Sequence, residues 1–221
     1  MTLIFVVGLV MAAGAAVRGN WSPCGESLQA QIHPLGEGSR GNQWGVTILF
    51  FTIGSVTAGM TLGAIFGLAG SAVGADWTDG ARLGLAAIVA VVAGALDLAM
   101  VRPWTPRRQV NENWIGRYRG WVYGAAFGIQ LGLGFAVFVM SWGYYAMLLA
   151  SFLTHSPLEG AFIGAVFGLG RGMLLYLSRR ITTPEALRSF HRVMAAWRPA
   201  VFRATGTAML VTGVLAVAVW L

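Results

Sequence analysis

Three long stretches of this chain carry almost no charge, and they decide what it can fold into. Gly45–Gly74, Leu83–Val101 and Trp121–Leu153 are built of Ala, Gly, aliphatic and aromatic residues. A helix needs roughly 20 residues to cross a hydrocarbon core of ~30 Å, and each stretch meets or nearly meets that length. The two-residue alternation of a membrane β-strand is missing, which argues against a barrel. Only 10% of the 221 residues are charged, where a soluble domain carries about 25%. The expected fold is therefore all-α, a six-transmembrane-helix bundle forming one domain over residues 1–221.

The punctuation between apolar runs sets the spans. The first runs from about Thr2 to Val17 and breaks over Arg18 to Glu26, where Gly19, Pro23 and Gly25 interrupt helical pairing. With Arg18 behind it and no basic residue before it, Leu3–Val17 is read as a membrane helix rather than a secretory signal. The bulky Trp21-Ser22-Pro23 before Cys24 is the wrong context for lipoprotein cleavage. Residues 29–42 read as a polar loop. Span two covers about Trp44–Val73, and a linker with Asp76 and Asp79 leads to span three, Leu83–Val101. Span four starts near Trp121 and runs as far as Phe152, longer than one crossing requires, so it is expected to tilt, kink or project. Span five is Leu158–Leu177 and span six Ala204–Leu221. Before span six, Thr183-Pro184-Glu185 reads as a helix start. Leu187, Phe190, Met194 and Trp197 then recur at helical spacing, as in an amphipathic helix lying on the membrane surface; the alternative is an extension of span six.

All fifteen basic residues are Arg, and most lie in two loops. Residues 102–119 hold Arg102, Arg107, Arg108, Arg117 and Arg119; residues 179–203 hold Arg179, Arg180, Arg188, Arg192, Arg198 and Arg203. Positive loops stay in the cytoplasm, which places both termini on the non-cytoplasmic side of a bacterial inner membrane. The net charge of +7 thus points to the lipid bilayer as the partner and away from nucleic acid.

Gly63-Ala64-Ile65-Phe66-Gly67-Leu68 in span two is echoed by Gly164-Ala165-Val166-Phe167-Gly168-Leu169 in span five. Three spans separate the copies, so they run in opposite directions through the membrane, the layout of an inverted 3+3 repeat with halves of about 1–101 and 119–221. Glycines recurring every fourth residue, such as Gly124, Gly128 and Gly132, form smooth stripes for close helix packing.

Few groups can carry chemistry. Cys24 is the sole thiol, which excludes an intrachain disulfide; it is a redox nucleophile or an inert core residue. Ser22, Pro23 and Glu26 surround it at the break, with Gln29, Gln31 and His33 following. Gln130 and Arg171 are polar groups within apolar spans, where such groups mark function by default. Asp97 is expected to cap a helix or pair with Arg102. His33, His155 and His191 show no ligand spacing, so neither a metal nor another cofactor is expected, and no hydrolase or phosphate-binding signature is present.

Gly8, then Ser22-Pro23-Cys24, a short polar loop and a Gly-rich span ending in Gly63–Leu68 resemble the first half of the CcdA family. Those transmembrane thiol-reductant conduits of cytochrome c biogenesis are related to the membrane domain of DsbD and, more distantly, to LysE-type exporters. The resemblance implies a 3+3 inverted repeat and a Pro-adjacent Cys in spans one and four, exchanging electrons with thioredoxin. Pro23 and Cys24 match the first site. Span four, Gly128-Ile129-Gln130-Leu131-Gly132-Leu133-Gly134-Phe135, has no Cys, so an internal disulfide relay cannot operate.

Three functions follow as expectations. The first is a CcdA/LysE-like transporter or export factor with its site at the broken spans. The second is a single-thiol redox factor of the cytochrome-biogenesis type, working with a thioredoxin-like partner. The third is a structural or assembly subunit packed into a larger membrane complex.

Overall fold

The computed structural model describes residues 3–74, 77–105 and 108–221; Thr2, Asp76 and Arg107 lie outside that set. In chain order the helices are α1 (Leu3–Gly19), α2 (Pro23–Gln31), α3 (Pro34–Ser39), α4 (Trp44–Val73), α5 (Asp79–Leu98), α6 (Asn113–Arg117), α7 (Gly120–Leu133), α8 (Gly143–Leu153), α9 (Pro157–Leu177) and α10 (Pro184–Trp220). No strand occurs among the described residues. Four helices, α4, α5, α9 and α10, are long and apolar enough to cross a bilayer singly, and the bent pair α1–α2 makes a fifth candidate. Helices α7 and α8, with 14 and 11 residues, are each too short alone. The molecule is an all-α, multi-pass membrane bundle.

Four helices start on a capping side chain followed by proline. Ser22, His33, Ser156 and Thr183 each accept a hydrogen bond from the backbone N–H three residues on. Pro23, Pro34, Pro157 and Pro184 follow them, at a position where the missing N–H costs nothing. The couplet His33-Pro34 corrects the reading of residues 29–42 as a loop: α2 continues to Gln31, and α3 fills most of the remainder.

Helix α4 is the centre of one half of the bundle, with α7 on one side and α9 on the other. The glycine stripes make both approaches. Added Cβ atoms on Gly124, Gly128 and Gly132 would run into the carbonyl oxygens of Thr47, Phe51 and Ser55, one turn apart on α4. Between α4 and α9 the approach is reciprocal: Gly63 and Gly160 each abut the other's carbonyl oxygen, as do Gly59 and Gly164. Ser55 adds a hydrogen bond from its Oγ to the Gly168 carbonyl, 2.8 Å. Helix α5 pairs with α10, and α1 joins the halves by packing on α8, α9 and α10.

Two segments depart from the sequence expectations. Span four is cut over residues 134–142, where Gly134 ends α7 at φ +69°. Only glycine adopts that region freely, and a Cβ there would also strike the Tyr144 ring. The Arg-rich stretch 179–203 is not a loop with a separate surface helix. From Pro184 it is one with span six, a 37-residue helix about 56 Å long that carries Pro199 inside it. Its apolar face meets the bundle itself: Met194 and Phe202 cluster with Trp21, whose Nε1 donates to the Met194 carbonyl at 2.8 Å.

Candidate functional site

The break after α1 is a tight, ordered bend. Successive turn hydrogen bonds run from Asn20, Trp21 and Ser22 N–H groups to the Val17, Arg18 and Gly19 carbonyls, at 3.2, 3.1 and 3.0 Å. Helix α2 then leaves at 61° to α1. Ser22 caps it by accepting from Gly25 N–H at 3.1 Å, and Pro23 occupies the first helical position. The bend leaves no room at Gly25, where a Cβ would lie 2.5 Å from the Asn20 carbonyl oxygen. Asn20 ties the bend to α9 through its Nδ2, which donates to the Gly170 carbonyl at 3.1 Å.

Cys24 is the second residue of α2, where the first-turn N–H groups and the helix dipole favour negative charge. It is 0% exposed, clustered with Leu28, Ile48, Phe51, Val110, Ile115 and Phe127. Its Sγ lies 3.9 Å from the Arg108 carbonyl oxygen. The segment from Arg108 to Arg117 therefore covers the thiol. One acid fastens this cover: Glu112 accepts from Ser27 Oγ and, at 2.8 Å, from Gln31 Nε2, both on α2. Glu112→Ala is expected to raise the alkylation rate of Cys24 about 5- to 10-fold, the equivalent of one or two hydrogen bonds lost from the closed cover. Stopped-flow or mass-resolved labelling with a maleimide reads this directly; an unchanged rate would show that Glu112 does not hold the cover.

Next to the bend lies a buried polar cluster that joins four helices. Arg18, 3% exposed, donates from Nη1 to the Phe202 carbonyl at 2.9 Å and from Nη2 to the Asp97 carbonyl at 3.1 Å. Its Nε stands 3.7 Å from Asp97 Oδ2, and its guanidinium sits 4.3 Å from the centre of the Phe202 ring. Asp97 accepts from Trp142 N–H at 2.9 Å and from Ser141 Oγ, so it caps the start of α8. Asp97 does cap and pair, but its ion partner is Arg18 rather than Arg102. Arg18 and Ser141 escape a reading by spans because each looks like an ordinary flank; the available signal was one lone base and one lone acid in otherwise uncharged helices.

A cleft of about 730 Å³ opens beside this cluster, with Arg18, Arg102 and Arg198 supplying positive charge and Pro23 and Glu26 on its wall. Both Pro23 and Glu26 are exposed, while Ser22 is buried. Trp21, Trp104 and Phe202 provide its apolar surface. The structure thus gathers Ser22, Pro23, Cys24 and Glu26 around the bend. Arg171 is also near: it is 3% exposed on α9, against Gly19, and within electrostatic reach of Cys24. Gln130 is half-buried on α7 and lines neither the cleft nor the small chamber at Arg171. Among the described residues no group of three or more His, Cys, Asp or Glu side chains is arranged to hold a metal ion.

Compared with known proteins, residues 3–215 match the family described as the cytochrome c biogenesis protein transmembrane region. The methylamine utilization protein MauF of Paracoccus versutus is 34% identical over 173 residues, 75% of this chain and 62% of that protein. MauF of Paracoccus denitrificans is 31% identical over 169 residues, 75% and 61% of the two chains. MauF of Methylophilus methylotrophus is 27% identical over 220 residues, 95% and 73%. The matched part spans about three fifths of the first two relatives' length. No solved structure matches the chain. These likenesses favour a cytochrome-biogenesis-type membrane factor over the transporter placed first on sequence grounds, for which they offer no support.

Proposed function

The chain belongs to the family of cytochrome c biogenesis transmembrane regions, and on that premise we propose that it is a single-thiol membrane factor with Cys24 as its reactive group. The observation that supports this most is the position of the sole thiol, at the first turn of α2 on the α1–α2 bend, with the Arg-lined cleft alongside. Ser22 and Pro23 build that turn, Glu26 stands at the mouth, and Arg171 adds fixed positive charge behind the sulfur.

The chemistry is thiol–disulfide exchange. The Cys24 thiolate attacks one sulfur of a partner's disulfide; that S–S bond breaks, a Cys24–partner disulfide forms, and the partner's second sulfur leaves as a thiolate that takes up a proton. No second thiol in this chain can resolve the adduct. The resolving thiolate comes from the partner or from another dithiol protein, which is oxidised as Cys24 is released. The partner class is a thioredoxin-like protein with a negative surface, which the cleft's three arginines attract. The Arg-rich end of the bundle faces the cytoplasm of a bacterial inner membrane. Pairs α1–α2 and α7–α8 are broken spans one and four of two inverted halves, giving six crossings with both termini outside. The relatives' names place the work of this factor in methylamine utilization.

A trapping reaction tests the proposal. A thioredoxin whose resolving Cys is replaced by Ser, and whose remaining Cys is activated as a mixed disulfide, is mixed with the purified chain. Cys24 is expected to form a reducible adduct with it about tenfold faster than with a non-redox protein carrying the same activated thiol, the mark of a docking preference worth one decade in affinity. Equal rates, or no adduct at all, would overturn the thiol reading.

A further inference from the structure

Arg171 poses a problem that the thiol chemistry does not answer. It is 3% exposed, and its Nε and Nη1 have no hydrogen-bond partner. Arg18, the other buried arginine of the cluster, has Asp97. Among the described residues no carboxylate forms an ion pair with Arg171. A guanidinium taken out of water with neither counter-charge nor acceptors is strongly unfavourable, so something must accept from it.

The guanidinium borders a closed chamber of about 10 Å³, walled by Gly19, Gly134, Ser141, Tyr144 and Phe167. That is room for one particle of about the size of a water molecule. Two glycines keep it open. A Cβ on Gly19 would run into Arg171 Nη1, and one on Gly134 would strike the Tyr144 ring. The polar atoms of the wall are already used. Ser141 Oγ donates to Asp97 and accepts from Gly143 N–H at 3.0 Å; the Tyr144 hydroxyl donates to the Leu133 carbonyl at 2.5 Å and accepts from Phe135 N–H at 3.1 Å. What remains is a set of donors with no free acceptor. A water molecule needs two to four partners of both kinds, whereas an anion needs donors and a positive charge, which is what the chamber offers.

We infer that the Arg171 chamber is a binding site for one small monovalent anion of halide size, held by Nε and Nη1 of that residue. The site lies where α1, α9 and the break between α7 and α8 meet, so its occupant joins the two halves of the bundle. This inference is independent of any reactivity of Cys24.

The test uses the full chain purified in detergent, unfolded by heat in sodium bromide or in sodium gluconate at equal ionic strength. Bromide is expected to raise the midpoint saturably, on the order of 5 °C at about a hundredfold excess over its dissociation constant. Arg171→Gln is expected to abolish the bromide effect, and Cys24→Ser to keep it. A native midpoint indifferent to bromide, or a bromide effect that survives in Arg171→Gln, overturns the inference; loss of the effect in Cys24→Ser overturns it too, since the sulfur would then be the anion. Should Arg171→Gln fail to fold, bromide-soaked crystals of the native chain decide, with an anomalous peak beside Arg171 expected and an empty chamber contradicting it.

Discussion

Asp97→Ala is expected to cost about 3–5 kcal/mol of stability, because it strands the buried Arg18 charge and removes an α8 cap together. Asp97 is 0% exposed and Arg18 3%, so solvent cannot replace the lost carboxylate. The same substitution leaves Trp142 N–H and Ser141 Oγ without the acceptor that begins α8. Asp97→Asn keeps an oxygen for Trp142 and removes only the charge, so it is expected to fall between the native chain and Asp97→Ala. The double variant Arg18→Met, Asp97→Leu is expected to recover most of the loss, since replacing a buried pair by apolar groups of similar volume is often neutral. Denaturant unfolding in detergent micelles reads all three. If the double variant were as unstable as Asp97→Ala, the ion pair would not be the cause.

Gly63→Val has the second large effect. Its Cβ would enter the space of the Gly160 carbonyl oxygen, and a helix backbone cannot move aside as a side chain can. The α4–α9 pair must separate, at a cost of about 1–3 kcal/mol for the overpacking in addition to the lost contacts of the stripe. Gly164→Val is expected to do the same damage, since Gly164 meets the Gly59 carbonyl in the reciprocal way. Gly45→Ala, where a Cβ meets nothing within 4 Å, is the control and is expected to be neutral. Retention of a monodisperse peak after heating ranks the variants. Unequal behaviour of Gly63 and Gly164 would count against the inverted repeat as well as the packing.

Much of this architecture can be read from the residues. Charge-poor runs mark the long helices, fourfold glycine spacing marks the helix pairs in closest contact, and Thr183-Pro184 marks the start of α10. The same couplet logic applies at Ser22-Pro23, which reads more readily as a break than as the start of α2. The segment 134–142 was not legible, because no Pro or charge interrupts it. What ends α7 is the conformation of Gly134, one glycine among many, and what begins α8 is a carboxylate 45 residues earlier in the chain. The fusion of 184–203 with span six was hidden for a similar reason: an amphipathic pattern says which face is apolar, and not whether lipid or Trp21 covers it.

The candidate site was half legible. Ser22, Pro23, Cys24 and Glu26 are neighbours in sequence and remain so in space. Arg171 stood out because a charge in an apolar span needs a reason, whereas its missing acceptors emerge only from packing. Gln130 met the same sequence criterion, yet lies on a different part of α7. The cover over Cys24 rests on Glu112, whose partners Ser27 and Gln31 are more than 80 residues away.

The most direct measurement is the redox state of Cys24 in growing cells. Membranes are quenched in acid, free thiols are alkylated, and the isolated chain is weighed intact by mass spectrometry before and after reduction. Exchange through Cys24 requires that a fraction of the chain carry a reducible adduct on that residue, with the fraction rising when cytoplasmic reductant is depleted. A thiol found wholly free under both conditions, in cells where the Cys24→Ala chain replaces the native one without loss of function, would contradict it.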